Sequence, residues 1–344
     1  MNDPTLSVVI PVRNEEGYIR ECLDSVFACA VPADRFEVVV ADGMSGDGTG
    51  AILIEYASRR PNLAVVANPR MSAAAGLNVG IRRARGRIVA RVDGHTVLDP
   101  GYLETALSLL DGPESPAALV GGRPRAAGRG AVGKAIASAT ETLPGNGGAA
   151  YRAAKGGRFT DTVQNAAFRR DVFERCGGFR EDVGCDEDEE FNFRALEKGE
   201  RIFLTGAMTF RWYCRESFPA LFRQYFFYGF YKPRVLALHP GSVRLRHAAP
   251  PALTLFMALC AASLAVRGSL PAPAWFVLAL YAATLLVFSF LIGARRGALT
   301  GALAPAVYVT MHAAYGSGFL AGVVPAVLAK GGRRNDRNGE KGTR

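Results

Sequence analysis

Charged side chains are nearly missing from the last third of this sequence. Between Ala248 and Ala294 there is only Arg267, and between Gly297 and Ala329 there is none. Up to His247, charged and apolar residues are mixed in the usual way. That shift excludes one uniform soluble domain and predicts a soluble half followed by a membrane half. Paired cysteines are also missing: Cys22, Cys29, Cys176, Cys185, Cys214 and Cys260 are scattered, with no C-x-x-C. Zinc and thioredoxin-like sites are thereby excluded, and the scatter suits a reducing compartment. The start, Met1-Asn2-Asp3-Pro4, has neither the basic opening nor the apolar core of a signal peptide, so the first half is expected in the cytoplasm. No helix-turn-helix, zinc-finger or RNA-binding signature accompanies the net charge of +10, which argues against nucleic acid as a partner. Basic residues instead flank the apolar runs, at Arg244, Arg246 and His247, at Arg295 and Arg296, and from Lys330 to Arg344. A membrane surface fits that placement.

In the first half, short β-branched runs alternate with helical periodicity. Strands are predicted over 6–12, 36–42, 63–67, 87–93 and 117–122, and helices over 15–27, 47–59 and 72–85. Asp99-Pro100 is expected as cap and first turn of a further helix. Strand–helix alternation predicts a doubly wound, mostly parallel α/β sheet, whose ligands bind outside the carboxyl ends of the strands. Asp42 and Asp93, as last residues of two strands, should then face one crevice. The Gly-, Ala- and Arg-rich stretch 121–159 is expected to be mobile, with little regular structure. Residues 186–199 are expected to form a helix with an acidic start and a glycine stop. The apolar runs 248–266 and 274–294 reach the roughly 20 residues that a spanning helix needs. The third, 303–329, is long enough but broken by Pro305, Gly316, Gly318, Gly322 and Pro325. With a cytoplasmic first half, three spans put the basic tail outside, against the positive-inside tendency. Two spans with a re-entrant third would keep it inside; the third run's length favours three. His312, at membrane depth, is expected as a packed interhelical residue rather than a contact to lipid phosphate.

Four polar clusters carry candidate chemistry. Pro11-Val12-Arg13-Asn14-Glu15 ends the first strand. Asp42-Gly43-Met44-Ser45-Gly46-Asp47-Gly48-Thr49 joins a strand to a helix through a Gly/Ser turn whose amides can approach a pyrophosphate. Its spacing is neither a dinucleotide fingerprint nor a P-loop. Arg91-Val92-Asp93-Gly94-His95-Thr96 sets an Asp and a His two apart beyond a strand, as two ligands of a divalent metal or as cap and surface residue. Cys185-Asp186-Glu187-Asp188-Glu189-Glu190 packs five acids in a row. Such crowding raises proton affinity and suits a general base, although a helix dipole also favours acids there.

Taken in order, Pro11…Asn14-Glu15, Asp42-Gly-x-Ser, Asp93-Gly-His and Glu187-Asp188 resemble the family 2 glycosyltransferases with the GT-A fold. Within that family the chain resembles the bacterial exopolysaccharide glucosyltransferases of the succinoglycan type, through Ala75–Ile81, Arg91–Thr96 and Asn165–Arg170. The likeness covers about residues 5–235. It implies a Rossmann-like nucleotide-binding half plus an acceptor half, followed by transmembrane helices. It also implies that Pro11, Arg13, Glu15, Asp42, Asn78, Arg91, Asp93, Gln224 and Lys232 hold a nucleotide-sugar donor. Asp93 and His95 would hold Mn²⁺ or Mg²⁺ against its diphosphate. Asp188, with Glu187 beside it, would be the base for an inverting transfer. His95 departs from the family's second Asp, which softens the metal site and favours Mn²⁺. The Gln-x-x-Arg-Trp motif survives only as Gln224-Tyr225-Phe226-Phe227-Tyr228, leaving Lys232 or Arg234 to supply the cation and arguing against a processive synthase.

The domains implied are a cytoplasmic GT-A domain over 1–240, a membrane region over 248–330 with two or three helices, and a basic disordered tail over 331–344. The aromatic stretch 212–235 is expected as an amphipathic helix at the bilayer interface rather than helical core. The resemblance implies transfer of a hexose, glucose from UDP-glucose, to a lipid-linked saccharide at the cytoplasmic face of the inner membrane, with polysaccharide-assembly proteins as further partners. Its rivals are a polyprenyl-phosphate sugar synthase and a non-catalytic nucleotide-sugar-binding subunit of an export complex.

Overall fold

A computed structural model describes residues 3–112, 115, 117–148 and 156–339, with side chains as far as residue 327. The chain divides into two units, one of residues 1–125 and 149–213, the other of residues 126–148 and 214–344.

The first unit is built on one nine-stranded sheet. Its strands are β1 (Leu6–Val12), β2 (Phe36–Asp42), β3 (Leu63–Ala67), β4 (Ile88–Arg91), β5 (Thr96–Leu98), β6 (Leu119–Ala127), β7 (Arg158–Phe159), β8 (Ala167–Arg169) and β9 (Ile202–Tyr213). The order is β3-β2-β1-β4-β8-β6-β9-β5, with β7 on β9. From β3 to β4 every pair is parallel, for example Val8 opposite Val38 and Ala90. From β4 onward the sheet turns antiparallel, at β4–β8, β8–β6, β9–β5 and β9–β7. The parallel strands read as continuous apolar runs because both faces are covered. Val8 and Ile10 of β1 enter one core with Val38 and Val40, while Val9 enters a second core with Leu77 and Phe168. The predicted doubly wound α/β architecture is observed.

Six longer helices serve this sheet: α1 (Ile19–Phe27), α2 (Thr49–Arg59), α3 (Ala73–Arg83), α4 (Tyr102–Leu110), α7 (Asp171–Cys176) and α8 (Glu187–Glu197). Ser72 caps α3, its hydroxyl accepting from the Ala75 N–H at 3.2 Å. Several expected boundaries move. The first helix starts at Ile19 instead of Glu15, because residues 13–16 form a loop with Asn14 at φ 56°. The fourth strand ends at Arg91, two residues short of Asp93. Asp99-Pro100 does not open α4: Gly101, at φ 84°, occupies the cap, and Asp99 is bound by Arg125 and Thr209.

The stretch 121–159, expected to lack regular structure, is largely ordered. It holds the end of β6, then α5 (Ala131–Thr140) and α6 (Leu143–Asn146) of the second unit; residues 149–155 lie outside the described residues. Its glycines serve close packing rather than mobility. At the start of α5 the Glu216 carboxylate accepts from the N–H groups of Arg129 and Gly130 at 2.8 and 2.9 Å, and a Cβ on Gly133 would collide with it.

The rest of the second unit is helical: α9 (Phe218–Leu238), α10 (Leu245–Arg267), α11 (Ala272–Arg296) and α12 (Ala298–Gly339). Three segments, Leu245–Arg267, Ala272–Arg296 and Ala298–Val327, are long and apolar enough to cross a membrane. The expected aromatic helix is shorter than 212–235 at its start, since Trp212 and Tyr213 complete β9 and Ser217 caps α9. The third apolar helix does not stop at residue 329; it runs on to Gly339, through tail residues expected to lack structure, because no proline follows Pro325 to interrupt it. Residues 340–344 lie outside the described residues.

α9 and α12 meet backbone to backbone. A Cβ on Gly318 or Gly322 would run into the carbonyl of Phe226 or Phe230, and one on Gly229 into that of Tyr315. Glycines four residues apart permit this approach, and the close backbone contact adds dispersion attraction. Gly318→Leu should therefore force the helices apart, lowering stability by about 1–3 kcal/mol. Thermal unfolding in detergent reads this directly; an unchanged midpoint would mean that the close approach is not made.

Candidate active site

The chain leaves β1 through α1 toward β2 and β3, then returns to the other side of β1 as β4. Strand order reverses there, and a crevice opens at the carboxyl ends of β1 and β4. The loops that follow β1 and β2 are laced together across it. The Asn14 N–H donates to Ser45 Oγ at 2.9 Å, and Gly46 N–H donates back to Asn14 Oδ1 at 2.8 Å. Glu15 N–H donates to Thr49 Oγ1 at 2.8 Å, and Glu16 N–H to Asp47 Oδ2 at 3.1 Å. Asp42 sits at the end of β2 and accepts from the Ser45 hydroxyl at 2.6 Å. Pro11 is in β1, and Arg13 is exposed in the loop after it.

Among the described residues, four non-glycine residues hold positive φ: Asn14 (56°), Met44 (58°), Met71 (59°) and Asn165 (46°). All four lie in loops at this end of the strands. Strained backbone of this kind costs about 1–3 kcal/mol per residue and persists where surrounding contacts dictate it.

The loop after β4 carries Asp93 and His95. Gly94 lets it press against the β1 loop, since a Cβ there would come within 2.9 Å of Val12 Cγ1. His95 Nδ1 lies 3.0 Å from Glu15 Oε1, so the first and third sequence clusters are joined. The Asp93 N–H donates to Asn165 Oδ1 at 2.8 Å, while Asn165 Nδ2 donates to Thr96 Oγ1 at 3.2 Å. The wholly buried Tyr102 donates to the Asn165 carbonyl. Asn165 thus frames the Asp93 turn. Sequence inspection gave it no role, and its signal would have been an asparagine where the backbone turns left-handed.

Arg91 binds the catalytic candidates together. Its guanidinium is buried and donates to Asp93 Oδ1 at 3.0 Å and to Glu187 Oε1 at 2.9 Å. Burial acts against its charge, but Asp93, Glu187 and Asp188 more than reverse that and raise its proton affinity. Its carbon centre lies 5.9 Å from the Phe179 ring centroid, within cation–π range. Asn78 in turn fixes Phe179, donating to its carbonyl at 2.9 Å and accepting from its N–H at 2.8 Å. Both amide atoms of Asn78 are thus engaged within the fold. Arg91 Nη1 and Glu187 Oε2 are buried without a hydrogen-bond partner.

Asp188 stands in the first turn of α8. Burial of its carboxyl raises its pKa from an ordinary 3.8 to about 7; Arg91 opposes the shift, and Glu187, Asp93 and Glu189 reinforce it. A carboxylate so tuned can accept a proton near neutral pH. Among the described residues no group of three His, Cys, Asp or Glu side chains is arranged to hold a metal. Asp93 and His95, on one turn, offer two ligands of different chemistry. That set fits Mg²⁺ or Mn²⁺, which take few protein groups and complete their shell with water and phosphate. Gln224 and Lys232 lie on α9, in the second unit. Gln224 donates to the Tyr228 hydroxyl at 3.0 Å, and Lys232 is buried.

A sequence model described as "Glycosyl transferase family 2" matches residues 7–177. The chain is 27% identical over 319 residues to the succinoglycan biosynthesis protein ExoA of Rhizobium meliloti (strain 1021), covering 91% of this chain and 93% of that protein. It is 24% identical over 235 residues to a dolichyl N-acetyl-alpha-D-glucosaminyl phosphate 3-beta-D-2,3-diacetamido-2,3-dideoxy-beta-D-glucuronosyltransferase of Methanococcus voltae, covering 65% of this chain and 71% of that one. The solved mannosyltransferase PcManGT of Pyrobaculum calidifontis, in complex with GDP-Man and Mn²⁺, superposes with a TM-score of 0.60 at 23% identity, over 92% of this chain and 88% of that one. It shares the GT-A fold.

Removing one partner of a buried ion pair typically costs about 3–5 kcal/mol, because the other charge is left stranded. Arg91→Leu should show a loss of that size in thermal or denaturant unfolding. Its cost should shrink when Glu187 is already Gln. Equal costs in both backgrounds would show that the two side chains are not coupled.

Proposed function

Through residues 7–177 this chain belongs to glycosyl transferase family 2, and on that premise we propose that it moves a hexose, glucose from UDP-glucose, onto a hydroxyl of a lipid-linked saccharide at the membrane, with inversion. The observation that carries the proposal is Asp188: a carboxylate with its pKa raised to about 7, one residue from Glu187, which Arg91 ties to Asp93. The relatives support the substrate class, one named for succinoglycan biosynthesis and one for a dolichyl-linked acceptor.

The donor diphosphate would lie beside Asp93 and His95, with the nucleotide over the laced loops of Arg13, Glu15 and Asp42. A divalent cation held by Asp93 and His95 would offset the charge of the diphosphate. Asp188 takes the proton of the acceptor hydroxyl as its oxygen attacks the anomeric carbon from the face opposite the diphosphate. The C–O bond to the diphosphate breaks in the same step, and the nucleoside diphosphate leaves with that electron pair. Arg91 keeps Glu187 and Asp93 in register during the transfer.

The three candidate spans support a membrane enzyme, and the exposed rings of Phe222 and Phe227 on α9 suit a seat at the bilayer interface. The catalytic unit belongs on the cytoplasmic side of the inner membrane, where nucleotide sugars are made.

The test uses membranes containing the protein, a panel of UDP- and GDP-sugars, and Mn²⁺ or Mg²⁺, following nucleotide release and sugar incorporation into extractable lipid. Asp188→Asn should lower incorporation by at least about 10²-fold, the low end for a positioned base. Substantial activity in that variant would favour a lipid-phosphate acceptor, which needs no base; nucleotide binding without turnover from any donor would indicate a non-catalytic subunit. Chelation should stop transfer, and added Mn²⁺ should restore it.

The pH dependence has a definite sign. Asp188 must be ionised to act, so kcat/KM should rise with pH up to about 7 and then level off. Stability runs the other way. A carboxyl whose folded pKa lies above its unfolded value binds more protons in the native state, so its contribution falls as pH rises from 3.8 to about 7. Asp188→Asn should therefore gain stability relative to the parent at pH 8 more than at pH 4, as read by thermal unfolding.

A further inference from the structure

The second unit contains a cavity of about 390 Å³, within the roughly 300–1,000 Å³ range of small-molecule sites. One face of α11 lines it, with Val277, Leu280, Thr284 and Phe288 at helical spacing. From Val277 to Phe288 the stripe rises about 16 Å at 1.5 Å per residue. Leu253 of α10 faces it, and Leu143 and Pro144 of α6 complete the wall.

The polar groups along this groove are engaged with one another. His312 Nδ1 lies 2.9 Å from the Tyr281 hydroxyl, and its Nε2 lies 2.9 Å from the Pro144 carbonyl. The Thr284 hydroxyl donates to the Leu280 carbonyl at 2.8 Å. A sugar or nucleotide placed here would lose hydrogen bonds to water and gain none. Hydrocarbon would lose nothing. α10, α11 and α12 contain the three candidate spans, so the groove lies among helices long and apolar enough to cross a membrane. Leu143 is 63% exposed and Leu280 59%, large apolar surfaces that call for an apolar cover.

Beside α6 the chemistry changes sign. A Cβ on Gly147 would stand 3.0 Å from Arg246 Cβ, and Arg296 Nη2 lies 3.8 Å from Glu141 Oε2. Arg246 and the Arg296–Glu141 ion pair therefore flank the short helix that walls the groove. An occupant suited to both features has a hydrocarbon chain and an anionic end.

We propose that this groove seats the hydrocarbon chain of the lipid-linked acceptor, with its phosphate end toward Arg246 and Arg296. The assignment rests on the transferase function proposed above.

The test exposes the intact protein in detergent to a long-chain prenyl phosphate bearing a diazirine on its chain, followed by irradiation and peptide mapping. Label should fall on the Val277–Phe288 face and on Leu143, be suppressed by unlabelled prenyl phosphate, and resist phosphatidylglycerol. Equal suppression by phosphatidylglycerol would make the groove a seat for bulk lipid and overturn the proposal. Label spread over the outer helix faces would overturn it as well. Leu280→Trp, which fills the groove, should reduce labelling and raise the KM of a long-chain lipid acceptor about tenfold. The KM of the nucleotide sugar and turnover of a short-chain acceptor should stay unchanged. Val277→Phe serves as the parallel variant if the tryptophan prevents folding. Equal KM values for short- and long-chain acceptors in the parent protein would refute the groove while leaving the transferase intact. Groove labelling without transfer from any donor would do the reverse.

Discussion

A guanidinium withdrawn from water must be surrounded by carboxylates or the fold around it fails, and Arg91 meets that requirement with Asp93 on one side and Glu187 on the other. The two acids come from distant parts of the chain: one follows the parallel strand β4, the other opens α8. Asn78 and Phe179 prop the same guanidinium from α3 and the segment before α8. Desolvation makes this arrangement exacting. Arg91 and Glu187 have little solvent to replace a lost partner, and the arginine sets the spacing between Asp93 and Glu187.

The same burial tunes the chemistry. Asp188 is raised by its surroundings and by neighbouring acids, and Arg91 limits the rise. Without that cation, burial and the neighbouring acids would raise the proton affinity of Asp188 further. With it, the proton affinity falls near the pH at which a hydroxyl acceptor needs a base. The strained residues Asn14, Met44, Met71 and Asn165 belong to the same design. Their loops hold backbone and polar atoms at the strand ends in fixed directions, and the lacing of Asn14, Ser45, Asp47 and Thr49 keeps them there.

In the second unit, a different constraint governs. Close approach of helix backbones at glycines decides packing there. Gly229, Gly318 and Gly322 bring α9 onto α12, and His312 ties α12 to α11 and α6 through both ring nitrogens. The proline and glycine breaks that suggested an interrupted third segment are absorbed in one continuous helix, with the glycines supplying its contact face.

The sequence alone determined the parallel strands of the first half, because a strand buried on both faces must be a nearly unbroken apolar run. It also determined the three membrane-length helices, because hydrocarbon tolerates almost no charge over that span. Asp42, Asp93 and Glu187-Asp188 were legible as candidates, since carboxylates at strand and helix ends break the local pattern. Tertiary structure alone decided what those residues touch. Nothing in residue order links Glu15 to His95, Arg91 to Glu187, or Asn165 to the Asp93 turn, for these contacts are between residues about 70 to 100 positions apart. The antiparallel half was hidden as well, because β7, β8 and β5 are too short to show a period. The order within residues 121–159 was hidden for a related reason. Gly and Ala signal mobility when counted along a chain, but they allow the tightest packing once a partner helix is present, and only the folded chain supplies that partner.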